Sequence, residues 1–538
     1  LSVSWSFCMS LESTVGEVAI KQNLEQFLLV LSVSLSVATL SRIFSWFRKI
    51  PYTLLLVIVG LGLAFVDVRL VNLSPELILE IFLPPLLFEA AWNIRWRDLR
   101  RDLVPVSLFA IAGVIISVVG IAFAINQLTG LPLTIALLVG ASLSATDPVS
   151  VIALFRELGA DKRLKTLMEG ESLFNDGVAV VAFSLLVGLP LGLEEFSIAT
   201  SVARFLGFVG IGIGIGCIIG FGISYATQRF DLPLVEQSLT LVSAYGTYLI
   251  VEELGGSGVI GVVTVGVILG NFGSRIGMNP RTRLIVSEFW DFLAFFVNSI
   301  VFLLIGDQIK IASLGQNIKL IAVTILAVLL TRAIAVYGLG ALSNILVNSQ
   351  IGWREQTVLW WGGLRGSVSI ALALSVPVVL EGRQDIIETV FGVVLFTLLV
   401  QGLTTRWFLE KLNLIGDQPL RQQYSEVLAR RIALNRVRNY LEEGLNTTEI
   451  DSDLWRYQTK LIDSQLTTIN NEIEELRSNH PELETLELEQ LQETMLDIEA
   501  DTYAEFIRSG RLNENLSPIM QQVLIEADQK TIDIEGVT

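Results

Sequence analysis

The sequence predicts an all-α, polytopic membrane protein of about thirteen transmembrane helices, followed by a helical cytoplasmic tail. Three observations predict it. Hydrophobic residues make up 52% of the 538 positions and charged residues only 17%, below the roughly one quarter that soluble domains carry. Apolar runs of about 20 residues, the length a helix needs to cross a bilayer, recur from residue 24 to about 410. The connections between these runs alternate between basic and non-basic, as loops on the two sides of a membrane do.

In order, the runs fall near 24–41, 50–66, 75–93, 103–127, 132–156, 165–189, 199–226, 232–253, 256–272, 283–306, 317–345, 355–380 and 386–409. One set of alternate loops holds Arg42, Arg48 and Lys49, then Arg95, Arg97, Arg100 and Arg101, then Arg156, Lys162, Arg163 and Lys165. Arg229 follows, then Arg275, Arg281 and Arg283, then Arg354. The other set holds little beyond Arg69, Lys310, Lys319 and Arg383, and one member carries Glu194–Glu195. The positive-inside rule makes the first set cytoplasmic. The N-terminus is then outside and the C-terminal tail inside.

Three parts follow: an extracytoplasmic segment 1–23, a membrane domain 24–411 and an acidic tail 412–538. The net charge of −17 sits almost wholly in the tail. No basic face for nucleic acid is visible. The first apolar run follows Glu12 and Glu17 and lacks a basic flank, so a cleavable signal peptide is not expected. Cys8 and Cys217 are the only cysteines and His480 the only histidine. A disulfide framework, histidine-held zinc and serine–histidine catalysis are therefore excluded from the membrane part. No cofactor is expected. The run Gly210, Gly212, Gly214, Gly216 and Gly220 completes no nucleotide-binding loop, and its spacing points to close helix packing.

An ionisable group costs about 2.5–3.5 kcal/mol at the bilayer centre on insertion scales, so polar segments inside spans mark function. Three stand out. Ser144-Ala-Thr-Asp-Pro-Val-Ser150 lies in the fifth run. Pro148 lacks an N–H and clashes with the carbonyl four residues back, while pushing Asp147 from helical geometry. An interrupted helix here frees carbonyls beside Thr146 and Asp147, a hard-oxygen setting for a cation; a Pro-kinked helix with a structural Asp is the alternative. Glu169-Gly-Glu-Ser-Leu-Phe-Asn-Asp-Gly177 lies in the sixth run. Glu171 and Asn175 are four apart, as are Ser172 and Asp176, so both pairs share a helix side. Asp176 is the candidate proton-exchanging group; a polar packing cluster is the bland reading. Gly177 leaves room for another backbone to approach. Trp361-Gly-Gly-Leu-Arg-Gly-Ser-Val-Ser369 opens the twelfth run. Its glycines weaken the helix, and Arg365 needs an anion or freed carbonyls, with Glu171 the natural partner. A pair of interrupted helices in opposite halves points to a midplane substrate site.

Together, Thr146-Asp147-Pro148, Glu171-Ser172-Leu173-Phe174-Asn175-Asp176 and Gly362-Gly363-Leu364-Arg365-Gly366 resemble the NhaP type of sodium/proton antiporter, as does Phe82-Leu83-Pro84-Pro85. The resemblance spans most of 24–410. It implies inverted repeats with crossed discontinuous helices, a core domain moving against a dimerisation domain, and a homodimer in the cell membrane. It implies Na+ and H+ competing at Asp176, with Asp147, the Thr146 backbone and Ser172 completing the Na+ shell. It implies a structural Glu171–Arg365 ion pair, and Asn175 as the mark of electroneutral exchange. A K+/H+ antiporter of the same fold is the runner-up, and Li+ can stand in for Na+ in the first reading.

Other readings fit less well. An intramembrane aspartyl protease would need Gly-x-Gly-Asp, and the nearest stretch is Leu304-Ile-Gly-Asp307. No Walker A motif supports a pump, and no repeated filter segment supports a cation channel. Glu80, Glu89 and Arg332 are open to a functional reading and equally to packing or interfacial placement, and Glu252, Glu253 and Asp307, expected near span ends, receive no role from sequence. In the tail, residues 420–530 alternate apolar and charged residues at helical spacing. Three or four amphipathic helices are expected, with breaks at Asn446–Asp453 and Asn479-His480-Pro481.

Overall fold

Every apolar interval read from the sequence contains helix in the computed structural model. It describes residues 25–41, 43–44, 50–66, 73–192, 197–229, 232–278, 280–309, 315–347, 349–414, 418–444, 452–480 and 502. Segment 1–23, the loop residues Arg42, Arg48, Lys49, Arg69, Glu194, Glu195 and Lys310, and the tail beyond 480 (Thr502 excepted) lie outside the described residues. Among the described residues there is no strand. The chain divides into two compact units at 414/415.

The first unit begins with α1 (Glu25–Ser41) and α2 (Tyr52–Phe65). A π-helical turn, Leu77–Phe82, leads into α3 (Leu83–Asn93), whose Pro84–Pro85 occupy the first turn, where missing N–H groups cost little. α4 (Leu103–Thr129) ends at Gly130 in the left-handed region, φ 77°. The fifth interval is two helices, α5 (Leu133–Ser142) and α6 (Val149–Leu158), and α7 (Lys162–Leu186) carries the sixth. Then come α8 (Ile198–Thr227), α9 (Pro233–Glu253), α10 (Gly258–Ile268) and α11 (Pro280–Asp307). α12 (Ile318–Val347) precedes the second divided interval, α13 (Trp353–Trp361) and α14 (Ser367–Leu374); α15 (Arg383–Lys411) closes the unit. Among the described residues, five helices are individually long and apolar enough to cross a membrane: Leu103–Thr129, Ile198–Thr227, Arg281–Asp307, Ile318–Val347 and Arg383–Lys411.

Small residues set the closest approaches. A Cβ on Gly306 would meet Leu61 N at 2.8 Å and Gly60 Cα at 3.0 Å, so α2 and α11 touch backbone to backbone. The smooth face of α8 packs on α10 as its spacing implies: a Cβ on Gly216 would lie 2.7 Å from Thr264 and 2.8 Å from the Gly261 carbonyl. Gly177 differs from expectation. The space it leaves is filled by the Ile260 and Val259 side chains rather than by a backbone.

Two clamps tie the ends of the site-bearing helices. Asp161 caps α7 by accepting from Arg163 N at 2.8 Å. The Arg163 guanidinium donates to buried Asp102 at 2.7 Å and to the Ser349 carbonyl at 2.5 Å. The bond to the Asp102 carboxylate holds the guanidinium's proton more tightly than in water.

The second unit shows α16 (Gln418–Gly444) and α17 (Ser452–Asn479) as a hairpin. Tyr424 and Leu428 bury against Ile469 and Ile473. Arg477 donates to the Tyr424 hydroxyl at 3.0 Å, and Arg438 pairs with Asp463 at 3.2 Å. Of the expected breaks, residues 446–451 and Pro481 lie outside the described residues, while Asp453 and Asn479 belong to α17; further tail helices also fall outside the described residues.

Candidate ion-binding site

Pro148 does interrupt its helix, and the interruption runs farther back than the ring alone requires. Helix α5 stops at Ser142, residues 145–148 are non-helical, and α6 restarts at Val149. Five residues, Gly362–Gly366, separate α13 from α14. The two breaks cross. Asp147 N donates to the Leu364 carbonyl at 2.8 Å, and Arg365 Nε donates to the Leu143 carbonyl at 2.6 Å. Ser369 Oγ donates to the Ala145 carbonyl at 3.5 Å. Each break thus satisfies backbone groups that the other leaves open, which is what permits irregular backbone away from water.

Gly366 makes the crossing close enough. Any Cβ there would collide with the Asp147 carboxylate, which therefore lies against the start of α14. There the partial positive charge of a helix N-terminus favours an anion. Asp147 also accepts from Val149 N at 3.0 Å, capping α6.

Helix α7 faces this crossing with three polar residues. Ser172 Oγ donates to the Thr146 carbonyl. Asn175 grips the same residue twice: its Oδ1 accepts from Thr146 N at 3.3 Å, and its Nδ2 donates to Thr146 Oγ1 at 2.6 Å. Asp176 lies within electrostatic range of Asp147, and its Oδ1 is buried without a hydrogen-bond partner. Thr146, Asp147, Ser172, Asn175 and Asp176 are therefore brought together as the sequence suggests. Two carboxylates that repel each other, beside hydroxyl and carbonyl oxygens with spare lone pairs, form a hard-oxygen setting for one cation. Asn175 differs from the others in having its amide committed to holding Thr146.

The expected ion pair is different. Glu171 pairs with Arg332 of α12, at 2.5 and 3.1 Å, and not with Arg365. Arg332 also donates to the Leu359 carbonyl at 3.0 Å. Arg365 is buried among carbonyls of both breaks, donating to Leu143 and Gly363, while Thr397 Oγ1 accepts from its backbone N at 3.1 Å. The freed dipoles solvate one guanidinium, and the carboxylate is left for the other. One signal for Arg332 was present: it is the sole charged residue in the interior of the long apolar α12, and such a group requires an anion. Gln401, which donates to the Trp361 carbonyl at 3.1 Å, and Thr397 gave no such signal.

Residues 32–411 match the family model of the transmembrane sodium/hydrogen exchanger. The chain is 68% identical over 532 residues to the Na(+)/H(+) antiporter ApNhaP of Aphanothece halophytica, covering 97% of this chain and 100% of that protein. It is 60% identical to the low-affinity Na(+)/H(+) antiporter NhaS1 of Synechocystis, covering 95% and 98% respectively. Among solved structures it is similar to the sodium proton antiporter MjNhaP1 of Methanocaldococcus jannaschii, with a TM-score of 0.60 at 21% identity over 73% of this chain and 99% of that one. That likeness speaks to the fold alone. Sequence, crossed breaks and family match converge: this integral, multi-pass membrane chain belongs to the sodium/hydrogen exchanger family.

Proposed function

We propose that the chain is a secondary active Na+/H+ antiporter in which one Na+ and one H+ compete for Asp176. The observation that carries this reading is the buried Asp176 Oδ1, without a hydrogen-bond donor and beside the second carboxylate, Asp147. A carboxylate in that position needs a proton or a cation as its partner. Ionised, it takes Na+ with Asp147, the Thr146 carbonyl and Ser172; protonated, it offers the cation little. Binding Na+ releases the proton, so the charge on the site is the same in both loaded forms. Exchange of one for one is then electroneutral, in keeping with the neutral Asn175 next to Asp176. Coupling requires only that the empty, ionised site does not cross while either loaded form does.

Around this site we place thirteen crossings, an outside N-terminus, a cytoplasmic tail from residue 412, a homodimer and the cell membrane as its location. The names of the similar antiporters, which specify Na+ and H+, support the choice of ions. The test uses purified protein in proteoliposomes with a pH-sensitive dye, and Na+, Li+ and K+ offered separately. Na+ should dissipate an imposed pH gradient without needing a counter-ion pathway. Asp176→Asn should reduce this to the protein-free level while eluting as a folded species. Full exchange by Asp176→Asn, or faster exchange with K+ than Na+, would overturn the reading.

A further inference from the structure

A small cavity beside Asn175 lies between α4, α7, α12 and the stretch after α5. Its room for a mobile molecule is about one water. Five polar side chains line it: Ser117, Ser144, Glu171, Asn175 and Arg332. All are at least nine-tenths buried. Four have described partners. Ser144 Oγ donates to the Ala141 carbonyl, Glu171 accepts from Arg332, and Asn175 holds Thr146. Ser117, 5% exposed on α4, makes no hydrogen bond to any described residue.

The hydrogen-bonding capacity left over has a definite form. The second Asn175 Nδ2 hydrogen, the Ser117 hydroxyl hydrogen and the partnerless Arg332 Nε–H are donors. The Ser144 hydroxyl oxygen and the remaining lone pairs of the Glu171 carboxylate are acceptors. Donors and acceptors thus both surround one water-sized space; a water molecule can accept from two donors and donate to two acceptors, and buried waters typically make two to four such bonds. An apolar occupant would leave these groups unmet. A bare alkali cation would face the Arg332 guanidinium and two donor hydrogens.

We propose that this cavity is a site for one ordered water, that Ser117 is its anchor, and that the water links the Glu171–Arg332 pair to Asn175. Ser117 is then a positioning residue. Its water fixes which way the Asn175 amide points, Asn175 holds Thr146, and the Thr146 carbonyl is one of the oxygens proposed above to hold Na+ with Asp176. The proposal rests on the reading of Asp176 as the exchange site, and extends the site to a helix, α4, that supplies none of its ligands.

The test has a structural and a kinetic arm, both on the full-length protein. A density map that resolves waters should show one peak in the cavity, about 3 Å from Ser117 Oγ. In proteoliposomes, Ser117→Ala and Ser117→Val should raise the KM for Na+ about tenfold, as loss of an outer-shell partner does at metal sites. Maximal rate and melting temperature should stay unchanged. Ser117→Thr, which matches Val in volume and keeps the hydroxyl, should remain near the parent KM. An empty cavity, an anomalous Rb+ or Tl+ peak inside it, or equal KM values for the Thr and Val variants would each overturn the proposal. Failure of the underlying reading shows elsewhere, as Asp176→Asn that still exchanges, and leaves the water peak in place.

Discussion

Replacing Arg332 by Gln leaves the Glu171 carboxylate 2% exposed and without its counter-charge. Removing one partner of a buried pair costs about 3–5 kcal/mol, so the melting temperature of Arg332→Gln in detergent should fall by several degrees. Glu171→Gln in the same background should recover part of the loss, because the uncompensated charge is then gone; a double variant no more stable than Arg332→Gln would refute the pairing. Arg365 answers to different neighbours. Its guanidinium is held by carbonyls, so Glu171→Gln combined with Arg365→Gln should show no recovery. The proposed competition at Asp176 carries a pH dependence with it. Cation binding requires the deprotonated carboxylate, so raising the pH removes the competitor and strengthens Na+ binding. Where protonation prevails, the KM for Na+ should fall about tenfold per pH unit with the maximal rate steady. A KM independent of pH would separate proton and cation into different sites.

At the scale of elements, the crossing of the α5–α6 and α13–α14 breaks depends on an absent side chain. Gly366→Ala places a methyl in the space of the Asp147 carboxylate. The expected result is a loss of Na+ exchange of about tenfold or more, with the helices retained by circular dichroism. Unchanged exchange would mean that Asp147 has room to move without consequence. The carbonyls of the break between α5 and α6 find partners on other elements. Leu143 is answered by Arg365, Ala145 by Ser369 and Thr146 by Ser172. Pro148 explains why the helix stops; those three donors explain how it stays stopped in a medium without water.

For the whole molecule, the division at 414/415 separates a membrane unit from an acidic one. The hairpin of α16 and α17 has its own core of Tyr424, Leu428, Ile469 and Ile473, and every residue of the ion site lies in the first unit. A chain ending at Leu414 should therefore still exchange Na+ for H+ in proteoliposomes. Loss of exchange in a truncated protein that remains folded and inserted would assign the tail a direct part in transport.

Read from the sequence alone, the helical membrane class, the position of each apolar interval and the residues gathered at the site were legible. Each carries a local physical signature: an apolar run of bilayer length, a proline that cannot continue a helix, or an acid where acids are expensive. Asp176, Asp147, Thr146 and Ser172 stood out because buried polarity is rare enough to be noticed one residue at a time. Pairing is not local. The sequence pointed to Arg365 for the Glu171 carboxylate, and a carbonyl released 222 residues away, that of Leu143, holds Arg365 instead and leaves Glu171 to Arg332. The tertiary structure also turned Gly177 toward side chains instead of backbone, and Asn175 toward Thr146. Hydrogen bonds and ion pairs depend on tenths of an ångström across helices distant in the chain, and only packing sets those distances.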